Sequence, residues 1–194
     1  MWWVELLNSF AAILDSGGAG GAGGAFESIA TITGTGSATS ITFSSIPSTY
    51  RHLQIRVIGR TPDALTTSTA FMRFNSDTGT NYAAHWLYGD GASATATGSA
   101  TRSNVWVQLY YPGSSYNTNI HATSIIDIHD YAVTTKNKTV RTFNGVDVNG
   151  SGGYVNLVSG LWMNTNAINS ITIDFNGQNI SNTSVFSLYG IKGA

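Results

Sequence analysis

Asp127-Ile128-His129-Asp130 brings together side chains that can move a proton. In extended backbone, residues two apart share a face, so Asp127 and His129 are expected to point the same way. A carboxylate beside an imidazole orients a general base or helps to hold a metal. The same residues at a strand end also satisfy turn backbone groups. With neither HxH nor HExxH spacing present, the plainer role is favoured. Four histidines and ten acidic residues supply the whole acid/base inventory, and cysteine is absent, which excludes disulfides, thiolate metal sites and thiol nucleophiles. Neither a G-x-S-x-G elbow nor a P-loop is present, so serine hydrolysis and phosphate transfer have no anchor.

Asn75-Ser76-Asp77-Thr78-Gly79-Thr80-Asn81 sets oxygen-bearing side chains at alternate positions, as a calcium loop does. Asn75, Asp77 and Asn81 are its candidate ligands. The spacing departs from the EF-hand, because Gly79 comes one position early and Trp86 stands where the bidentate glutamate belongs. A tight Asx-rich turn is the favoured reading, and no metal or cofactor is expected. Aromatic residues offer the remaining chemistry. Trp86, Tyr88, Trp106, Tyr110 and Tyr111 stand among hydroxyl and amide side chains, where rings stack on sugar faces or pack against a neighbouring subunit. In Val105-Trp106-Val107-Gln108-Leu109, Trp106 and Gln108 share one face of the expected strand, and the subunit contact is favoured over the glycan.

Composition narrows the partners. Only 10% of residues are charged, against about 25% in an average soluble domain. The surface must be built from hydroxyls and amides. A net charge of −1 gives no drive toward nucleic acid or an anionic membrane.

The elements that position these residues follow from periodicity. From Phe26 onward the apolar period is two: Leu53, Ile55 and Val57 alternate with His52, Gln54 and Arg56, and similar runs recur up to Val185–Ile191. Asp77–Gly79, Gly89–Gly91, Asn144–Gly145 and Asn176–Gly177 read as turns between them. About ten short strands with polar turns predict an all-β, antiparallel β-sandwich, most simply a jelly roll, with an orthogonal barrel as second choice.

Before Phe26 the pattern is different. Trp3, Leu6, Phe10 and Ile13 follow helical spacing, and Trp2, Leu7 and Leu14 widen the stripe, so residues 1–16 read as a short amphipathic helix. That helix is marginal alone and needs a surface to order it. One candidate surface is its own domain. The linker 17–25, made of Gly and Ala alone, instead favours two bodies in independent orientations. Its literal GxGxxG at Gly18, Gly20 and Gly23 follows a helix and precedes a strand, so it is no dinucleotide fingerprint. The segment lacks the basic start of a signal peptide and is too short to cross a bilayer, so no membrane insertion is expected.

The stretches FESIATITGTGSATSITFSSIPSTYRHLQIRV, RFNSDTGTNYAAHWLYGDG, SIIDIHDYA with KNKTVRTFNG, and SVFSLYGIKGA resemble small structural proteins of tailed bacteriophages, over about residues 26–194. The resemblance implies a virion context, with no catalytic residues to carry over. Together the two lines predict a non-enzymatic virion protein at the particle surface, a head or tail fibre or a capsid decoration protein. Residues 1–16 dock, 17–25 tether and 26–194 form the displayed domain. Trp2, Trp3, Leu6, Leu7, Phe10, Ile13 and Leu14 are the docking residues, other virion proteins (capsid, portal, tail or baseplate) the partners, and a homotrimer the expected assembly. The alternative is a carbohydrate-binding tip that recognises a host surface glycan; a glycan-degrading enzyme is the third reading.

Overall fold

The computed structural model describes residues 24–65, 67–150 and 152–193, apart from the side chains of Gln108 and Leu109. The predicted docking helix with Trp2, Trp3, Leu6, Leu7, Phe10, Ile13 and Leu14, and the linker up to Gly23, lie outside the described residues, as does the Gln108 side chain.

Twelve strands follow one another: β1 (Phe26–Thr33), β2 (Ser40–Phe43), β3 (His52–Gly59), β4 (Thr67–Phe74), β5 (Tyr82–Gly89) and β6 (Ala94–Arg102), then β7 (Val105–Pro112), β8 (Ala122–His129), β9 (Lys138–Asp147), β10 (Gly153–Trp162), β11 (Ile171–Asp174) and β12 (Val185–Ile191). Every pairing is antiparallel. The larger sheet runs β1-β12-β3-β8-β9-β10-β5-β6, and the smaller runs β2-β11-β4-β7. Their facing sides share one core. Leu53, Ile55, Ile126, Ile128, Phe186 and Leu188 from the larger sheet meet Phe43, Met72, Phe74, Ile171 and Ile173 from the smaller. Period-two patterning produces this: in β3 the residues Leu53, Ile55 and Val57 are buried while Arg56 and Ile58 face water. Each fully buried large side chain contributes roughly 1.5–3 kcal/mol. The all-β, antiparallel sandwich predicted from the alternation is the observed arrangement.

β5 and β6 escape the sequence reading. β6, ATATGSATR, carries small residues and is exposed along nearly its whole length, so it has no apolar alternation to detect. It forms because β5 offers a ladder and the Asp90 turn folds the chain back onto it. Asp90 Oδ1 accepts hydrogen bonds from the backbone N–H groups of Ala92 (2.9 Å) and Ser93 (2.7 Å).

β7, the edge of the smaller sheet, is pinned across the core by polar contacts. Asn144 Nδ2 on β9 donates to Val107 O at 2.9 Å, and Asn156 Nδ2 on β10 donates to Asn144 Oδ1 at 2.7 Å. Both amides are buried. Glycine permits the close approach: a Cβ on Gly160 of β10 would fall 2.4 Å from Val105 Cγ1.

Two buried cations tie down the loops at opposite ends of β3. Lys138 is fully buried, and its Nζ donates to the carbonyls of Val133 (2.7 Å), Lys136 (2.8 Å) and Thr165 (2.9 Å). Arg60 donates to the carbonyls of Asn117 (2.9 Å), Ile120 (3.2 Å) and Gly113 (3.1 Å). Burial lowers the pKa of both groups. Three donors meeting three carbonyls offset much of the cost of taking each charge out of water.

Lys138→Met removes the donor shared by three carbonyls and is expected to lower the unfolding free energy by about 2 kcal/mol. Urea denaturation of the two proteins measures this, and an unchanged midpoint would remove Lys138 from the stabilising contacts.

Candidate functional site

The outer face of the larger sheet carries an apolar row. Cross-strand pairing aligns Ile125 on β8 with Phe143 on β9, Phe143 with Leu157 on β10, and Leu157 with Leu87 on β5. These four side chains are 41–53% exposed. A scattered exposed leucine means little, whereas four large apolar residues in register across four strands form a patch. Arg56 of β3 continues the row beside Ile125. The next row is polar: Gln54, Asp127, Arg141, Ser159 and His85 stand side by side. On the far side Ile58, Thr123, Gly145 and Val155 form a third row. A groove of about 630 Å³ runs along Leu87, Leu157, Arg141 and His85. The sequence reading missed this surface.

Asp127 and His129 share the outer face, as extended backbone dictates, yet they do not form a dyad. Asp127 Oδ1 accepts from Gln54 Nε2 at 2.8 Å and Oδ2 from Arg141 at 3.2 Å. His129 turns instead to His52, ring centroids 5.1 Å apart and nearly perpendicular. His52 Nδ1 accepts from the backbone N–H of Asp130 at 3.0 Å, which requires that nitrogen unprotonated. Burial lowers the His52 pKa, and the neighbouring His129 lowers it further, with Asp130 opposing. Asp130 is held between cations: Arg51 Nε lies 2.7 Å from Oδ1 off the hydrogen-bonding direction, so that contact is an ion pair, and Lys136 Nζ donates to Oδ2 at 2.8 Å. This is the strand-end polar cluster: Asp130 Oδ1 lies 3.8 Å from His52 Nδ1, beyond hydrogen-bonding distance, and the carboxylate is engaged by Arg51 and Lys136.

The candidate aromatic residues are paired with one another. Trp86 of β5 stacks on Trp106 of β7 at 4.3 Å, and the Arg102 guanidinium lies 4.6 Å from the Trp106 ring centre. Tyr110 stacks on Tyr154 at 3.7 Å, and Tyr88 meets Tyr110 edge-on at 6.2 Å. These contacts close the flank of the sandwich where β5 and β10 pass β7. Tyr111 is fully buried against Phe175 at 4.3 Å, a core residue rather than a surface contact, which corrects its place among the candidates. Alternation explains this: Tyr111 is in phase with Val105 and Val107, which face the core from the same strand.

In the loop from Asn75 to Asn81 the side-chain oxygens of Asn75 and Asp77 are spent on the chain itself, while Asn81 Oδ1 is buried without a hydrogen-bond partner among the described residues. Asn75 Oδ1 accepts from the backbone N–H groups of Asn169 (2.9 Å) and Ser170 (3.2 Å). Asp77 Oδ1 takes Gly79 N–H at 2.8 Å, while Oδ2 takes Asn81 Nδ2 at 2.8 Å and Trp162 Nε1 at 2.7 Å. Burial pushes the Asp77 carboxyl up, and the donors from Asn81, Trp162 and Gly79 outweigh it, so its pKa lies below the ordinary value. Among the described residues no group of three or more His, Cys, Asp or Glu side chains is placed to hold a metal ion.

At the end of the sheet where the β5–β6 and β9–β10 turns meet, a groove of about 640 Å³ is lined by Asp90, Asp147, His121 and Tyr154 and rimmed by glycines. Asp147 Oδ1 accepts the Asn149 backbone N–H at 2.7 Å. His121 Nε2 and Thr183 Oγ1 are 2.9 Å apart. The groove gathers hydroxyl, imidazole and carboxylate groups from turns that the sequence reading treated only as punctuation.

Asp77→Ala is expected to lower stability by about 2–3 kcal/mol, because the buried Trp162 indole N–H loses its acceptor. Urea midpoints with chelator and with calcium should show the same loss, and a calcium-dependent midpoint would return the loop to metal binding. For His52 the pKa is lowered from 6.5, so below that pH the unfolded chain takes the proton first. Its contribution to stability is complete above 6.5 and is lost as the pH falls through the lower folded-state value. His52→Gln should therefore narrow the drop in melting temperature between neutral pH and about pH 5; an equal drop in both proteins would exclude the effect.

Comparison of the chain with protein-family models, with curated proteins and with solved structures finds no match in any of the three.

Proposed function

We propose that the chain is a non-enzymatic structural protein of a tailed-bacteriophage particle. Residues 1–16 attach it, 17–25 act as a tether, and the β-sandwich from residue 26 is displayed at the particle surface. A head or tail fibre or a capsid decoration protein fits this layout, with capsid, portal, tail or baseplate proteins as partners and a homotrimer as the assembly.

The strand order carries the reading. With β5, β6, β9 and β10 set aside as two inserted pairs, the order is β1-β12-β3-β8 opposite β2-β11-β4-β7. Eight strands nested in this way fit the connectivity of a jelly roll, an architecture used by viral capsid and lectin domains. The inserted strands lengthen the larger sheet only, since β8 continues through β9, β10, β5 and β6. The phage resemblance of the sequence supplies the context that the fold alone does not. The carboxylates described above support a structural role, because turn N–H groups, Gln54, Trp162 and the basic side chains engage them.

One observation favours carbohydrate recognition as a second reading. The groove holding Asp90, Asp147 and His121 has Tyr154 on its wall, and Tyr154 is backed by Tyr110 and Tyr88. A ring beside carboxylates and glycines suits a sugar face and its hydroxyls.

Deleting residues 1–16 should leave a folded β domain that no longer joins the particle. Circular dichroism and mass spectrometry of purified particles check the two halves, and undiminished incorporation would overturn the attachment role. On a glycan array, binding abolished by Asp147→Ala would establish the second reading, whereas no binding by the parent protein would remove it.

A further inference from the structure

The apolar row on the outer face, Ile125–Phe143–Leu157–Leu87, is covered by no other strand among the described residues. The chain also carries a second large apolar surface in the sequence from Trp2 to Leu14. We propose that in the free subunit residues 2–14 seat across this row of their own larger sheet. The inference takes the docking segment from the proposed function and concerns the subunit before it meets a particle.

Length, reach and charge point to this occupant. Read as a helix, residues 2–14 extend about 20 Å. The row crosses four strands, about 14 Å between the outermost backbones, with side chains reaching further at both ends. A helix lying across the strands therefore covers the row from Ile125 to Leu87. The tether starts in the right place. Phe26 stands on the outer face of the edge strand β1, where it meets Tyr189 and Arg56. β1 lies three strands from β8, and pairing places Phe26 opposite Ile191 and Ile191 opposite His52, four positions along β3 from the Arg56–Ile125 row. The path to Ile125 is thus about 20 Å, and residues 17–25 span up to about 30 Å. The opposite polarity would need about 32 Å, the tether's full extension, so the seat is taken with Ile13 and Leu14 beside Ile125, and Trp2 and Trp3 beside Leu87.

The charges agree with the same polarity. Glu5 and Asp15 are the charged side chains of residues 1–16. Asp15 falls at the Ile125 end, beside Arg56, and Glu5 falls toward Leu87, away from the Asp127 carboxylate that already holds Arg141. A short Gly/Ala tether also holds the segment at a local concentration in the millimolar range, which favours its own sheet over that of a second copy in dilute solution. Attachment to a particle then exchanges one apolar partner of the segment for another and uncovers the row.

Hydrogen exchange of the full chain tests the seat. Amides of residues 2–14 should exchange at least about tenfold more slowly in the parent than in the Phe143→Asp/Leu157→Asp variant. Both substituted side chains are half-exposed, so the variant should keep its sandwich, as protection of β3 and β12 amides would verify. The cysteine-free chain allows a second measurement. Ile13→Cys with Ile125→Cys should oxidise to a disulfide within one chain, and Trp3→Cys with Ile125→Cys should not. Equal exchange of residues 2–14 in parent and variant overturns the proposal, as do disulfides formed only between chains. If residues 2–14 are unprotected while their deletion still abolishes incorporation into particles, the self-docking idea fails and the attachment reading stands.

Discussion

Two buried cations without a directly bonded carboxylate hold the ends of this sandwich. Lys138 and Arg60 each satisfy three backbone carbonyls of the loops. A sheet can order its strands by ladder bonds and a shared core, but the loops leaving it expose carbonyls that must find donors. With few charges available, the chain places one at each end of β3. Each draws together segments distant in sequence: Lys138 joins the β8–β9 loop to Thr165 beyond β10, and Arg60 joins the end of β3 to the β7–β8 loop. The rows of the outer face keep their positions because the loops at both ends are fixed.

Much of the architecture is legible in the sequence, for an identifiable reason. β3 alternates Leu53, Ile55 and Val57 against polar neighbours, so its buried side declares itself. β6 declares nothing, because small residues on both faces leave no periodic signal and its existence depends on β5. The outer row is partly legible. Ile125 precedes Ile126, and Leu157 precedes Val158, so these strands are apolar on both faces. Which of each pair faces water depends on the opposite sheet, and the alignment of Ile125 with Leu87 depends on three pairings between separate strands. Local pattern carries neither fact. Residue type also predicted the aromatic chemistry without its partners: Trp86 and Trp106 could stack on a ligand, yet each has the other.

Low charge shapes the surface as well. Where a typical domain scatters lysine and glutamate, the larger sheet shows a polar ladder built from Gln54, Asp127 and Arg141. An apolar row lies beside it, and a glycine-rimmed groove lies at its end.

The nesting of the strands also has a consequence in time. β1 pairs with β12 and β2 with β11, so the first strands of the sandwich wait for nearly the last residues of the chain. Topologies dominated by such distant pairings fold slowly, on the scale of milliseconds to seconds, because loop closure precedes the contacts that reward it. During synthesis the β8–β9–β10 meander can assemble while β1 still has no neighbour. The apolar segment ahead of the Gly/Ala tether leaves the ribosome before any of these strands, and it meets other proteins while they are still assembling.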